Sequence, residues 1–376
     1  MARRARQAGA VSIFAVIFAA LLLTILTAGF IKIMLRDQQQ ATSNDLSQSA
    51  YDAALAGVED AKRVIRACQQ GASTACQALA KPDDCHVIAR AGIVAGATIG
   101  ETLVKSSSTN GQKFDQAYTC VNITMDTPDY LYEAREDKSQ LIPLRAQSAF
   151  NQVVVEWYTR DDTNGSATAG RPNGSGDQLP ARSEWNQSPA NPAPPLMRAH
   201  VMFPGASFDL KHLDETGASM TAFLRPLVVS PRHKESSVNL ASQPRATKDG
   251  SYDTTTTPIS CSSTFANQGY ACRVSMTIPD TSPEASANAL LRLLPLYKAA
   301  HVRVSLAYNG APVKFHGVQP SVDATGRASN LFRRVDARLQ IGSDFPYPNN
   351  ALEVNNSLCK DFSVAADKVV AGSCRP

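Results

Sequence analysis

The pattern of apolar and polar positions divides the first part of the chain into two regions. No residue in 10–31 is charged. At about 1.5 Å per helical residue this stretch spans about 33 Å, roughly the thickness of the hydrocarbon core of a bilayer. Residues 37–66 are more polar, contain no proline and have one glycine. Because proline interrupts helices, its absence predicts one long N-terminal helix over 10–70, with a membrane span at about 10–35.

The second region of this helix carries a stripe of mostly small residues at spacings of three and four. Residues at such spacings lie on one face of a helix, and a face made of alanine and glycine lets another element come close. Charged and amide side chains occupy the opposite face. We therefore predict that this half packs under a globular head. The stripe consists of Leu46, Ala50, Ala53, Gly57, Ala61 and Val64.

Beyond the helix the pattern changes to short runs in which apolar and polar residues alternate. The runs 272–278 and 302–306 are the clearest, and such alternation is typical of antiparallel sheets with one solvated face. Strands are predicted at 150–158, 199–203, 222–229, 270–278, 302–308 and 313–318, with a further strand at 335–339.

Two local signals between these strands predict a helix and a turn. Ser282 is a helix cap and Pro283 suits a first helical turn, so the leucines at 290, 291, 293 and 294 are predicted to form the apolar face of a helix that ends at Pro295. Residues 323–326 have the composition of a turn, in which Gly326 is free to adopt a positive φ.

These elements predict an α+β protein: a single long transmembrane and amphipathic helix, followed by a mostly antiparallel β head outside the membrane. Residues 161–195 are rich in glycine, proline, serine and asparagine, which predicts a flexible solvated loop. The predicted segments are a basic leader 1–9, the helix 10–70, a first part of the head 71–160, the loop 161–195, a β-rich head 196–345 and a C-terminal disulfide loop 346–376.

Charge and motifs narrow the function classes. The formal net charge is +4, and three of these charges come from Arg3, Arg4 and Arg6. The near-neutral remainder argues against a nucleic-acid partner, which requires many cationic phosphate contacts. The six histidines form no HExxH pair, and the sequence has no GxSxG, P-loop or GxGxxG motif. No catalytic residue, cofactor or metal ligand is predicted, so the protein is not expected to be an enzyme.

The chain has eight cysteines and no CxxC spacing. An even number of cysteines beyond an export signal favours disulfides in an oxidising compartment, although reduced, buried cysteines remain the alternative. Proximity in the sequence favours Cys261 with Cys272 and Cys359 with Cys374. Among the four cysteines nearer the N-terminus, pairing is left open, with a preference for Cys85 with Cys120.

The N-terminal region resembles a known family. The resemblance lies in residues 7–11, the 21–26 stretch, Gly29 and the alanine-rich segment 48–59. It covers about the first 65 residues and identifies the chain as similar to PilX-type pilus-assembly proteins, which are minor pilin-like members of the type IV pilus system. The resemblance implies cleavage after Gly9 by a prepilin peptidase and methylation of the new terminus at Ala10. It also implies other pilin-like subunits and inner-membrane assembly machinery as partners.

One position departs from major pilins, which carry a glutamate five residues into the mature chain. Here that residue is Phe14, and the resemblance therefore points to a minor or priming subunit. The end of the head also resembles this family, and Arg333, Arg334 and Arg338 either bind an acidic partner subunit or form a charged face that discourages edge aggregation.

The expected function is that of a structural or assembly subunit of a type IV pilus or related filament. The basic residues before the apolar stretch place the N-terminus in the cytoplasm and the head outside the cytoplasmic membrane. An uncleaved anchor, a tethered receptor or adhesin that does not assemble, and a tethered enzyme with an unrecognised site are the alternatives.

Overall fold

The computed structural model describes residues 8–81, 84–104, 115–173, 179–185, 192–204, 218–229, 236–240 and 255–341. Most of the predicted leader 1–9 lies outside these residues. The predicted C-terminal loop 346–376 and the pair Cys359–Cys374 also lie outside them.

The chain begins with one helix, α1, which runs over Ala8–Gln69. Its 62 residues correspond to about 93 Å at 1.5 Å per residue. The helix ends where the sequence predicts, because Gly71 adopts a φ of 91° and the Ala72 N–H donates to the Ala67 carbonyl at 2.9 Å. Two short helices follow, α2 (Ser73–Leu79) and α3 (Val87–Ala91).

The head is built from strands that form two sheets. The smaller sheet contains β1 (Thr102–Leu103), β2 (Gln116–Thr127), β14 (Phe315–Ala328) and β15 (Leu331–Arg338), in that order and all antiparallel. β2 and β14 are neighbours although almost 190 residues separate them in the chain. The other strands therefore form a body inserted between two strands of the small sheet.

The inserted body is one larger sheet in which most neighbours are antiparallel, with β7–β9 and β8–β10 parallel. Its strand order is β13-β12-β5-β10-β9-β7-β6-β11-β4, with β3 beside β12 and β8 beside β10. The strands are β3 (Asp129–Ala134), β4 (Gln140–Pro143), β5 (Phe150–Thr159), β6 (Leu196–Met202), β7 (Ser219–Val229), β8 (Ser236–Asn239), β9 (Thr256–Ser262), β10 (Tyr270–Thr281), β11 (Leu290–Leu296), β12 (Ala300–Tyr308) and β13 (Ala311–Val313).

The large sheet curls around its own core. β3 and β4 lie at opposite ends of the strand order, eight inter-strand spacings of about 4.8 Å apart, which is about 38 Å in a flat sheet. The connection between them, residues 135–139, reaches at most about 20 Å. The two ends must therefore approach each other. The enclosed core is fully buried and contains large side chains such as Phe150, Trp157 and Phe315.

The predicted helix over 282–295 is wrong beyond its first turn. α4 (Pro283–Ser286) begins at the predicted cap, where the Ser282 Oγ accepts from the Ala285 N–H at 3.2 Å. The leucine run that follows is strand β11, which pairs with β4 and β6. A continuous apolar run suits a strand buried on both faces as well as a helix, and here two neighbouring strands supply its backbone partners.

The predicted turn at 323–326 is also wrong. Gly326 lies within β14, and the chain reverses at Ser329 and Asn330 before β15 begins. The predicted strand 313–318 is divided between β13 and β14. The segments 71–160 and 196–345 share both sheets. In the large sheet β5 of the first pairs with β10 and β12 of the second, and in the small sheet β2 pairs with β14.

The prediction that 161–195 is a solvated loop needs correction for its described parts. Trp185 is buried, and its ring stacks on Tyr297 at 4.8 Å between centroids. The Ala169 N–H donates to the Ser263 carbonyl at 2.9 Å. Glycine and proline content indicates irregular structure correctly, but it does not show that one aromatic side chain fastens the segment to the body.

Candidate functional site

The candidate site is the surface on which the second half of α1 rests. The helix packs against β2, β14 and β15 of the small sheet and against α2 and α3. Leu46 is half-buried at the start of this surface, and Ala54 and Val58 are buried beside the predicted stripe. The other predicted stripe residues, all buried, are Ala50, Ala53, Gly57, Ala61 and Val64.

Gly326 lies in close contact with the backbone of the helix. A Cβ atom at this position would overlap the carbonyl oxygen of Ala50 and the amide nitrogen of Ala54. These are backbone atoms of α1, so no side chain can rotate away to make room. Gly326 therefore sets the distance between β14 and α1.

Gly57 makes the corresponding approach from the helix. A Cβ here would lie 2.9 Å from Cγ2 of Val121 and 3.2 Å from Cγ of Tyr118. Both neighbours are side-chain atoms of β2, so this contact is tight but can adjust. The helix and the sheet thus each contribute a glycine, which brings the two elements closer than ordinary side chains allow.

A polar contact lies at the edge of this apolar surface. The Tyr118 hydroxyl donates to Oδ2 of Asp60 on α1 at 2.8 Å, and the other oxygen of Asp60 accepts from Arg63 at 3.0 Å. Burial, and then the bond to Asp60, raises the pKa of Tyr118 well above its ordinary value of 10.0. The neutral hydroxyl is therefore the form that the docked helix favours.

Disulfides fasten the segments around the docked half. Cys68 at the end of α1 is bonded to Cys76 of α2, and Cys85 before α3 is bonded to Cys120 of β2. The pair Cys85–Cys120 is the one preferred from the sequence, whereas the sequence leaves the pairing of Cys68 and Cys76 open. A third disulfide, Cys261–Cys272, joins β9 to β10 in the large sheet, as proximity predicts.

The arginines of the last hairpin are engaged within the chain. Arg334 Nε donates to Asp323 Oδ1 at 2.6 Å, and Arg338 Nη2 lies 3.1 Å from Asp129 Oδ1. Arg333 Nε donates to the hydroxyl of Ser47 on α1 at 2.8 Å. Two of these three cations are thus neutralised locally, which reduces their value for binding an acidic partner subunit.

The first half of α1 presents a different surface. Its large apolar side chains are exposed from Ile13 to Leu35, and a methyl group added at Gly29 would have no atom within 4 Å. The helix is long and apolar enough to cross a membrane. The hydroxyl of Thr24 donates to the Leu21 carbonyl at 2.8 Å, which satisfies it without water. Gly9 and Ala10 lie in the first turn of α1.

The buried acids of the large sheet are occupied by structural contacts. Glu156 bonds Arg273 at 2.9 Å and also contacts Arg303, so it joins three adjacent strands. Asp162 accepts from the backbone N–H groups of Thr159 and His301. The part of the chain that the structure describes contains no group of three or more metal-ligating side chains.

Sequence reasoning misses the role of Gly326 and the contact of Tyr118 with Asp60. A signal for the first is present in the sequence. Val322, Ala324, Gly326 and Ala328 alternate with polar residues over 322–328, which is the period of a strand with one small, buried face. The turn-like composition of 323–326 conceals this alternation. No sequence signal pairs Tyr118 with Asp60, because the two residues meet only once the sheet is formed.

No protein-family model, curated protein or solved structure matches this chain. What the protein does is therefore inferred from the geometry of α1 and the surface that holds it.

Proposed function

We propose that this chain is a minor pilin-like structural or assembly subunit of a type IV pilus or related filament. The observation that supports this function is the division of α1 into two halves. One half is apolar and uncovered, and the other is fitted closely to a sheet. A subunit of this kind stays in lipid through the first half and later exchanges lipid for the helices of other subunits.

The fit of the docked half supports the proposal further. A simple tether requires only a span and a flexible connection to its head. Here the helix continues into the head without interruption, and two glycines and a disulfide at Cys68 hold its second half in place. Such a rigid connection fixes the position of the head relative to the helix, which a filament with a regular subunit arrangement requires.

The same helix supports a position in the membrane. Exposed apolar side chains extend to Leu35, and the first charged residues after the apolar stretch are Lys32, Arg36 and Asp37. We place residues 10–35 in the cytoplasmic membrane before assembly, with the N-terminus in the cytoplasm and the head outside.

A membrane-tethered receptor or adhesin is the second candidate. The observation that favours it is the large inserted sheet, which exceeds what is needed to hold α1 and offers a separate surface for binding. The two candidates differ in what happens to the N-terminus. An assembling subunit is cut after Gly9 and methylated at Ala10, whereas a plain tether keeps its leader.

Mass spectrometry of the chain purified from membranes tests this difference. We expect a mature terminus at a methylated Ala10, and we expect Gly9→Ala to block processing and leave a chain longer by the leader. Gly29→Ala is the matched control, because it makes the same substitution in the same helix away from the cleavage position. A wild-type chain that retains Met1 or Ala2, with unchanged mobility of Gly9→Ala, would contradict the proposal and favour the tether.

A further inference from the structure

The large sheet has a cavity where its two ends approach each other. The cavity has a volume of about 380 Å³ and lies at the connection between β3 and β4. This size falls within the range of ordinary ligand sites. It is lined by Tyr132, Glu133, Ala134, Arg135, Lys138, Ser139, Gln140 and Gln340. None of these residues takes part in holding α1.

The outer edge of β3 faces this region. β3 pairs with β12 on one side. On its other side the side-chain amide of Gln319 accepts from the Leu131 N–H at 2.9 Å and donates to the Leu131 carbonyl at 2.7 Å. Gln319 is buried. Its amide makes both hydrogen bonds that a neighbouring strand would make at this position of the edge.

The next position along this edge is Glu133. Backbone groups point to the same edge at every second residue of a strand, so the N–H and C=O of Glu133 point the same way as those of Leu131. Glu133 lines the cavity, and the described residues supply no hydrogen-bond partner for these two groups. Within the described part of the chain, this edge position of the sheet is therefore unpaired and faces the cavity.

The lining of the cavity also carries two cations, Arg135 and Lys138. Arg182 contacts both Glu136 and Asp137, so the acids next to the cavity are already paired. Arg135 and Lys138 have no ion pair among the described residues. Side chains two residues apart on a strand share a face, so the carboxylate of Glu133 lies on the same side as Arg135 and opposite Tyr132. With one acid and two cations, the lining keeps one net positive charge.

The hydroxyl of Tyr132 is a further polar group at the cavity. Its oxygen is buried and has no hydrogen-bond partner among the described residues. The ring lies 5.8 Å from that of Tyr130, measured between centroids, which holds it in place. A buried polar group without a partner costs free energy, and an incoming acceptor would remove this cost.

We propose that the cavity is a docking site for an extended acidic segment of a partner protein, which pairs its backbone with Glu133 and places a carboxylate between Arg135 and Lys138. Backbone pairing at a sheet edge is a recurrent mode of peptide recognition. The backbone of Glu133, unpaired among the described residues, favours a peptide over a simple anion, and the net positive charge of the lining favours an acidic peptide. This site is independent of whether the chain assembles into a filament.

The test measures binding by fluorescence anisotropy with the full chain in detergent. The probe is a blocked, fluorescein-labelled octapeptide in which valine and glutamate alternate. We expect binding of this peptide, and no binding of the peptide in which lysine replaces glutamate. A third peptide keeps the glutamates but carries proline in place of the two central valines, and we expect it to bind at least about tenfold more weakly because proline cannot donate a backbone hydrogen bond.

Variants of the chain locate the site. Arg135→Glu with Lys138→Glu should weaken binding at least about tenfold, since it replaces attraction by repulsion. The matched control is Arg160→Glu with Lys314→Glu, which reverses two exposed cations outside the cavity and should leave binding unchanged. Tyr132→Phe should weaken binding without lowering the melting temperature, because it removes a hydroxyl that has no partner in the described chain.

Any one of the following results would overturn the proposal. The first is equal binding of the lysine peptide. The second is equal binding of the proline peptide, or full displacement by inorganic phosphate, which would indicate a simple anion site. The third is an unchanged affinity of the Arg135 and Lys138 double variant. The fourth is a Tyr132→Phe chain that melts earlier while its affinity stays the same, which would show that the hydroxyl has a structural partner.

Discussion

The two halves of α1 have the same secondary structure and opposite surroundings. Gly29 in the first half has nothing within 4 Å of the position where a methyl group would stand, whereas Gly57 in the second half has Val121 at 2.9 Å. The first half is exposed with large apolar side chains, and the second half buries small ones. Among the described residues only the second half of the helix is covered, and the first half is a candidate membrane anchor.

The two cores of the head differ in a related way. The large sheet encloses bulky residues such as Phe150, Trp157 and Leu224, so shortening a side chain there would leave a cavity. The surface under α1 consists of alanine, glycine and valine, so the damaging change there is the addition of atoms. Substitutions that add one methyl group can therefore separate a docked surface from an uncovered one.

Gly326→Ala should have the largest effect. The added Cβ would overlap backbone atoms of Ala50 and Ala54, and only a movement of the whole helix can relieve this overlap. We expect a loss of at least about 3 kcal/mol in the free energy of unfolding, at the upper end of the cost of overpacking. Thermal unfolding of the full chain in detergent measures it. A Gly326→Ala chain as stable as the wild type would show that β14 does not touch α1.

Gly57→Ala should have a smaller effect of the same sign. The new Cβ meets side-chain atoms of Val121 and Tyr118, which can shift, and alanine favours the helix by about 1 kcal/mol over glycine. We expect a net loss of about 1 kcal/mol, since overpacking costs about 2 kcal/mol and the helix regains about half of it. Val121→Ala removes the closest atom, so the double variant should lose less than the sum of the two single variants. If the losses of the two single variants added up to that of the double variant, a direct contact between Gly57 and Val121 would be contradicted.

The docked half is more predictable than the sheet that receives it. The spacing of Ala50, Ala53 and Gly57 is a local property, and the sequence shows it directly. The pairing of β2 with β14 joins residues about 190 to 210 positions apart, and no local pattern carries that information. The same limitation explains the error at 323–326. The composition of this segment suggests a turn, whereas the position of Gly326 beside α1 depends on the whole fold.

The error at 290–296 has a different physical cause. In a run of leucines with few polar residues, the spacing of apolar and polar positions shows neither the period of a helix nor that of a strand. Such a run fits a buried strand and a buried helix equally well. Tertiary contacts decide the outcome, because β4 and β6 offer backbone partners on both sides. The predicted cap at Ser282 is confirmed, which shows that local chemistry fixes where a helix begins but not how far it continues.

Tyr118→Phe tests the polar edge of the docked surface and should cost about 1 kcal/mol, the usual value of one hydrogen bond. The effect should depend on pH. Because the folded chain raises the pKa of Tyr118, the unfolded chain loses its proton first, and wild-type stability falls as the pH rises above 10.0. The variant lacks this group and should lose stability less steeply there. Parallel curves of melting temperature against pH would contradict the contact with Asp60.

Gly29→Ala should have the smallest effect and is the strictest test of the contrast between the two halves. The substitution adds the same methyl group to the same helix as Gly57→Ala, but into open space. We expect the melting temperature of the head in detergent to stay at the wild-type value, because the first half of α1 contributes nothing to the core that unfolds. Alanine also suits a helix interior better than glycine, so no local strain is expected. A Gly29→Ala chain destabilised as much as Gly57→Ala would mean that the first half already has a partner within the chain, and it would then not be available to other subunits.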